Sequence, residues 1–167
     1  MVFQLSGPWA ILINIAVWFL IHSGVSVWLS LQDPTVFRSE SWLYKERAWE
    51  KKGIIYKTVF KVQKWKQFLP NGDACARNGF KKRKLQSCDF PYLQRFAQET
   101  CRAEITHWVI LAFSVVFFIW NAWWIGLIMV IYSLIVNVPC IIAQRYNRIR
   151  LNKVLIDCDE RSYFEPR

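Results

Sequence analysis

The chain has 167 residues, 54% of them apolar and 17% aromatic, with ten Trp and a net charge of +10 at pH 7. None of its 22 Lys and Arg falls in the first 37 residues or between 103 and 144. That apolar load and that segregation of charge argue against a soluble globule. They read as a single membrane domain whose basic residues mark the inner face and meet anionic headgroups, not nucleic acid.

The first element runs from Pro8 to Leu31 and is apolar apart from Asn14, His22 and a few Ser. At about 1.5 Å per residue it crosses a bilayer core of about 30 Å. No Lys or Arg precedes it and no small-residue cleavage site follows, so it is expected to be an uncleaved anchor over 8–31. His22 falls near mid-membrane, where a hydrogen bond between helices is the simpler reading than a catalytic role. Asp33–Pro34 ends the helix.

Residues 33–103 hold 16 of the 22 Lys and Arg, interleaved with Trp42, Tyr44, Trp49, Tyr56, Phe60, Trp65 and Phe68. Ile55, Val59, Val62 and Leu69 fall near helical spacing with lysines between them. That pattern predicts a basic amphipathic element lying in the membrane interface, with a short strand over 56–62 as the alternative. Leu69–Pro70–Asn71–Gly72 reads as a turn, and 71–89, with Lys81–Lys82–Arg83–Lys84, as an exposed loop.

Asp89 and Pro91 then mark the start of a helix expected over about 91–120. Leu93, Phe96, Ala97, Thr100, Glu104 and His107 share one stripe of it. From Ile105 to Ala143 the chain is almost wholly apolar, too long for one crossing, and Asn121 among Trp120, Trp123 and Trp124 breaks it at an interface. The expectation is a hairpin of two spans, 105–120 and 122–143, the second kinked at Pro139. The basic stretch 144–151 and a tail over 151–167 follow. The expected fold is therefore an all-α membrane protein with three spans in one domain over 1–167, the hairpin and its basic motif covering 104–150. Lys and Arg flank one end of every span. This places the N-terminus outside and the 33–103 segment and C-terminus in the cytosol, in a multi-pass protein of the cell membrane.

Two clusters could carry chemistry. Glu104 and His107 lie three apart on one helix face, about one turn below the charged surface. A carboxylate beside an imidazole suits a general base near neutral pH, while an ion pair that anchors the helix is the plainer alternative. Asn137, Gln144 and Arg148 share a face of the return helix. They read either as an oxyanion donor and an anion site, or as helix-to-helix and lipid contacts. The five Cys form no CxxC pair and lie at no ligand spacing from His, so neither a disulfide framework nor a metal site is expected. No GxSxG, HxxxxD, P-loop or GxGxxG is present.

Three blocks nevertheless form a pattern: Lys64–Trp65–Lys66 with Pro70 and Gly72; Glu99–Thr100–Cys101–Arg102–Ala103–Glu104 with His107–Trp108; and Asn137–Val138–Pro139 with 144–151. In these the chain resembles the glycosyl-4,4'-diaponeurosporenoate acyltransferases, membrane enzymes of staphyloxanthin-type carotenoid synthesis. The resemblance implies transfer of a fatty acyl group to the C6 hydroxyl of a glycosylated carotenoid acid or similar glycolipid. It implies an acyl donor, acyl-CoA or an acyl carrier protein, as co-substrate, with no further cofactor. On the matching positions His107 would be the base, Glu104 would hold its tautomer, and Asn137 or Gln144 would face the oxyanion. Arg102, Arg145, Arg148 and Arg150 would hold the donor's phosphates, with Trp65, Lys66, Trp108 and Asn147 completing the substrate contacts. No Ser or Cys is placed as a nucleophile by a motif, so direct transfer is favoured. Three spans are few to enclose a large lipid, which makes a homo-oligomer a reasonable assembly. A non-enzymatic membrane subunit or scaffold, or another lipid-modifying enzyme, stays open as an alternative.

Overall fold

The computed structural model describes residues 7–69 and 89–164, with side chains described as far as Ile156. Five α-helices occur among them: α1 (Pro8–Ser30), α2 (Ile54–Thr58), α3 (Val62–Trp65), α4 (Phe90–Phe113) and α5 (Trp123–Phe164), joined in places by 3-10 turns. No strand occurs among the described residues. Three segments are long and apolar enough to cross a membrane: Pro8–Ser30, Phe90–Phe118 and Trp123–Ile156. The protein is an all-helical, multi-pass membrane protein.

The sequence explains where these helices start and stop. Pro8 fills the first turn of α1, where its missing N–H costs nothing. Asp33 caps the next turn, its carboxylate accepting from the Thr35 backbone N–H at 2.8 Å. Pro91 occupies the first turn of α4. The α4 helix tightens into a 3-10 turn over Ser114–Phe118 before the chain reverses. The reversal is close: a Cβ on Gly126 would meet the Phe118 ring at 2.5 Å. It brings α5 back antiparallel to α4, and these two helices make the most extensive contact in the molecule. The predicted stripe on α4 lies in that contact, with Leu93, Phe96, Ala97, Thr100 and Glu104 all buried.

Asn121 does more than break the apolar run. It is 2% exposed. Its amide pairs reciprocally with that of Asn14 on α1, at 2.9 and 3.1 Å, and the Trp120 indole N–H donates to the same Asn14 oxygen at 2.8 Å. Satisfying each buried amide with the other pins α1 to the tip of the hairpin. Elsewhere α1 is mostly uncovered, as a lipid-facing helix is expected to be.

Several expectations need correction. The 56–62 strand alternative is replaced by α2 and α3. The single amphipathic element expected near 55–69 is interrupted, because Lys61 adopts a left-handed φ of 48°. Tyr56 and Val62 turn inward onto Ala143, Tyr146 and Ile149 of α5, while Val59 and Phe68 stay exposed. The return helix does not end near 143, and the 151–167 tail is helical as far as Phe164. Beyond the apolar span Tyr146, Ile149 and Leu151 still find apolar partners, in the 54–69 segment and in Leu93 and Phe96, so α5 continues as an amphipathic extension. The helix runs through Pro139 without a break in its assignment. The Pro70–Gly72 part of the turn and nearly all of the 71–89 loop lie outside the described residues.

Candidate active site

The α4–α5 contact carries the polar residues of both predicted clusters, stacked along the two helices. Deepest is a pair: His107 Nδ1 lies 2.9 Å from Asn137 Oδ1. Asn137 is fully buried. Its amide N–H groups point to Ser133, at 2.9 Å from the backbone oxygen and 3.3 Å from Oγ. With both amide hydrogens on Ser133, Oδ1 is the face offered to the imidazole. A neutral imidazole that donates from Nδ1–H to this oxygen carries its lone pair on Nε2.

One turn nearer the charged end is an ionic cluster. Glu104 is 1% exposed and sits between two arginines of α5, its Oε1 3.0 Å from Arg145 Nη1 and its Oε2 2.6 Å from Arg148 Nη2. The second approach is a charge contact without hydrogen-bond geometry; among the described residues Glu104 Oε2 and, separately, Arg148 Nη1 are buried without a hydrogen-bond partner. Spacing had suggested that Glu104 orients His107. The structure instead gives the His107 Nδ1 contact to Asn137 and surrounds Glu104 with guanidinium groups.

A second carboxylate, which sequence reasoning missed, completes the cluster from outside the hairpin. Glu50 is completely buried. It receives Arg145 Nε at 2.9 Å and Nη2 at 3.1 Å, the Tyr56 hydroxyl, and the Arg47 backbone N–H at 2.5 Å. Burial alone would raise its pKa, but the hydrogen bonds from Arg145, Tyr56 and Arg47 outweigh that and hold the carboxyl below its ordinary value. Tyr56 is pushed the other way, by burial and then by Glu50. Tyr44 also closes over the cluster: its backbone oxygen accepts from Arg148 Nε at 3.3 Å and its ring lies 5.2 Å from that guanidinium. Burial, followed by the Cys101 and Glu104 charges, pushes the Tyr44 phenol up to about 12. The turn that delivers Glu50 needs left-handed backbone at Lys51, Lys52 and Gly53 in succession. Gly53 also lies 3.3 Å, at the Cβ position, from Ile149. The available sequence signal was thin: one of three glutamates, with Glu40 and Glu46, in a stretch rich in Lys and Arg.

The other predicted residues separate into two groups. Arg102 is buried and bound to Glu99 through Nε at 3.0 Å and Nη2 at 2.6 Å; Arg95 holds the other Glu99 oxygen at 3.2 Å. Arg102, Arg145 and Arg148 are thus all committed to carboxylates. Lys66 and Arg150 lie against the Tyr146 ring instead, and Lys66 Nζ is 3.3 Å from Asn147 Oδ1. Trp65 packs beside them and donates to the Phe60 backbone oxygen at 2.7 Å. Gln144 is half-buried, and Trp108 lies exposed on α4. Among the described residues no group of three or more His, Cys, Asp and Glu is placed to hold a metal ion.

The chain matches the family of glycosyl-4,4'-diaponeurosporenoate acyltransferases over residues 40–156. It belongs to that family. The matched region takes in every residue of the clusters above, from Tyr44 to Arg150, and leaves out α1. Among its relatives is the glycosyl-4,4'-diaponeurosporenoate acyltransferase of Staphylococcus haemolyticus (strain JCSC1435). It is 32% identical over 140 residues, covering 84% of this chain and 81% of that one. The enzyme of the same name from Staphylococcus aureus (strain MRSA252) is 34% identical over 119 residues, covering 71% and 72%. No solved structure matches the chain. Membership makes the chain an acyltransferase.

Proposed function

We propose that the protein transfers a fatty acyl group from a thioester donor to the sugar C6 hydroxyl of a glycosylated carotenoid acid or similar glycolipid, at the cytosolic membrane face. The observation that carries the mechanism is the 2.9 Å contact between His107 Nδ1 and Asn137 Oδ1. A buried amide oxygen on Nδ1–H selects the tautomer with its lone pair on Nε2, the nitrogen that takes the hydroxyl proton. The sugar oxygen attacks the thioester carbonyl carbon, the new C–O bond forms, and the C–S bond breaks. The departing thiolate takes the proton back from the imidazolium. Asn137 acts on the imidazole and not on the oxyanion, because its amide hydrogens are committed to Ser133.

The depth suits both substrates. His107 is three residues beyond Glu104, so a lipid's sugar reaches it from the membrane and a soluble donor from the charged end. The cytosolic assignment draws on the basic residues at one end of the three spans and on contacts that gather them there: Arg145 to Glu50, Lys66 to Asn147, and Lys153 Nζ to the Lys52 backbone oxygen at 2.9 Å. The test is lipid mass spectrometry of a heterologous membrane containing the glycosylated carotenoid acid, with and without this chain. Acylated product that depends on the chain is expected. Unchanged acceptor in the presence of correctly inserted protein and acyl donor overturns the reading.

A further inference from the structure

Four arginines of α4 and α5, Arg95, Arg102, Arg145 and Arg148, each meet a carboxylate. Lys66 and Arg150 do not: among the described residues no acidic side chain pairs with either. Both lie against one ring, Lys66 Nζ 5.4 Å and the Arg150 guanidinium 5.7 Å from the centre of Tyr146. The ring is held in turn by Gln63, whose amide donates to its hydroxyl at 2.8 Å. Asn147 accepts from Lys66 through Oδ1 at 3.3 Å, which leaves its amide N–H groups beside the ammonium. The arrangement costs free energy as it stands: burial first, and the Arg150 charge second, lower the Lys66 pKa. Two cations against one ring, one of them exposed to solvent at Arg150, with an amide beside the other and no counter-charge among the described residues, favour an anion.

We infer that Lys66, Arg150 and Asn147 form the site for the phosphate of a phosphopantetheine-linked acyl donor. This rests on the acyl-transfer reading and assigns the donor's charged end to residues distinct from the buried arginines. Distance along α5 supports it. Asn147 is ten residues beyond Asn137, or about 15 Å along a helix axis. A pantetheine arm has roughly thirteen bonds from sulfur to phosphorus, about 15 Å at an extended chain's reach of ~3.5 Å per three bonds. A phosphate at Lys66 and Arg150 would therefore put the thioester at the level of His107.

The test is binding of coenzyme A to the full chain in nanodiscs of phosphatidylcholine, followed by calorimetry. Saturable binding is expected, weakened about tenfold by Lys66→Gln or Arg150→Gln and largely restored by Lys66→Arg or Arg150→Lys. Lys57→Gln, an exposed charge on α2, is expected to bind as the wild type does. Desulfo-coenzyme A should bind equally well, since the phosphates carry the recognition. Equal binding by the wild type and both Gln variants overturns the site. So does an absence of coenzyme A binding combined with saturable retention of phosphatidylglycerol that the same variants abolish, which would make it a lipid-headgroup site. Binding by a protein that transfers no acyl group would leave the site standing and remove the acyl-transfer reading instead.

Discussion

Replacing Glu104 by Gln removes one charge from between two buried arginines. Arg145 keeps Glu50 as a counter-ion through contacts at 2.9 and 3.1 Å. Arg148 keeps none among the described residues: it is 1% exposed, and its other contacts are the Tyr44 backbone oxygen at 3.3 Å, the Tyr44 ring and the neutral Cys101 thiol. Breaking a buried pair from one side costs about 3–5 kcal/mol, because the surviving charge stays desolvated. With Arg145 still compensated, a loss of about 3 kcal/mol is expected, set against a total folding stability of about 5–15 kcal/mol for a domain. Denaturant titration in detergent micelles, followed by tryptophan fluorescence, reads this directly. The second half of the experiment adds Arg148→Met, which removes the stranded charge and keeps its volume. The double variant should recover most of the loss, giving a large favourable coupling energy. A single-variant loss below about 1 kcal/mol, or a double variant less stable than Glu104→Gln alone, would refute the claim that Glu104 and Arg148 form a desolvated pair.

Three further outcomes follow from the same contacts. Asn137→Ala should lower kcat by about tenfold or more while Asn137→Asp, which keeps an acceptor for Nδ1–H, retains more activity; steady-state rates on matched membranes compare them. Because the folded pKa of Glu50 lies below its ordinary value, its stabilising contribution is present above about pH 4.3 and is lost as pH falls through the lower folded value. Glu50→Gln should therefore be less stable than wild type at pH 6, with the difference shrinking as the denaturation midpoint is followed toward pH 3. Asn14→Ala should cost about 0.6–1.7 kcal/mol, the range of interhelical hydrogen bonds in membranes, and Asn121→Ala should add little on top of it, since either change breaks the same reciprocal pair; thermal unfolding of the two single variants and the double variant checks this.

The three spans were legible because water and lipid sort residues coarsely. A run without Lys or Arg marks each crossing, and the Trp residues around Asn121 mark the turn. The length of α5 was legible in part: no Gly or Pro follows Pro139 until Pro166, but the basic and then acidic composition after Ala143 disguised a helix that continues. The site was legible where it depends on spacing within a helix. His107 and Glu104 share a stripe with their neighbours, and Asn137 and Arg148 lie on the matching face of α5. The pairing across helices was not legible, because it depends on a relative shift of α4 and α5 that periodicity does not encode. That shift sends Asn137 to His107 and the arginines to Glu104. Glu50 was hidden for a different reason. It reaches Arg145 from 95 residues away through a turn built on three left-handed residues, two of them lysines, a backbone state that propensity would not assign to them.

The central claim is that His107 is the base and Asn137 its positioning partner. The most direct measurement is acylated glycolipid formed per unit of membrane-inserted protein, comparing wild type with His107→Ala in the presence of acyl donor and glycosylated carotenoid acid. The account predicts that His107→Ala accumulates in the membrane at wild-type level and forms at least ~100-fold less product. Full product formation by His107→Ala would contradict it.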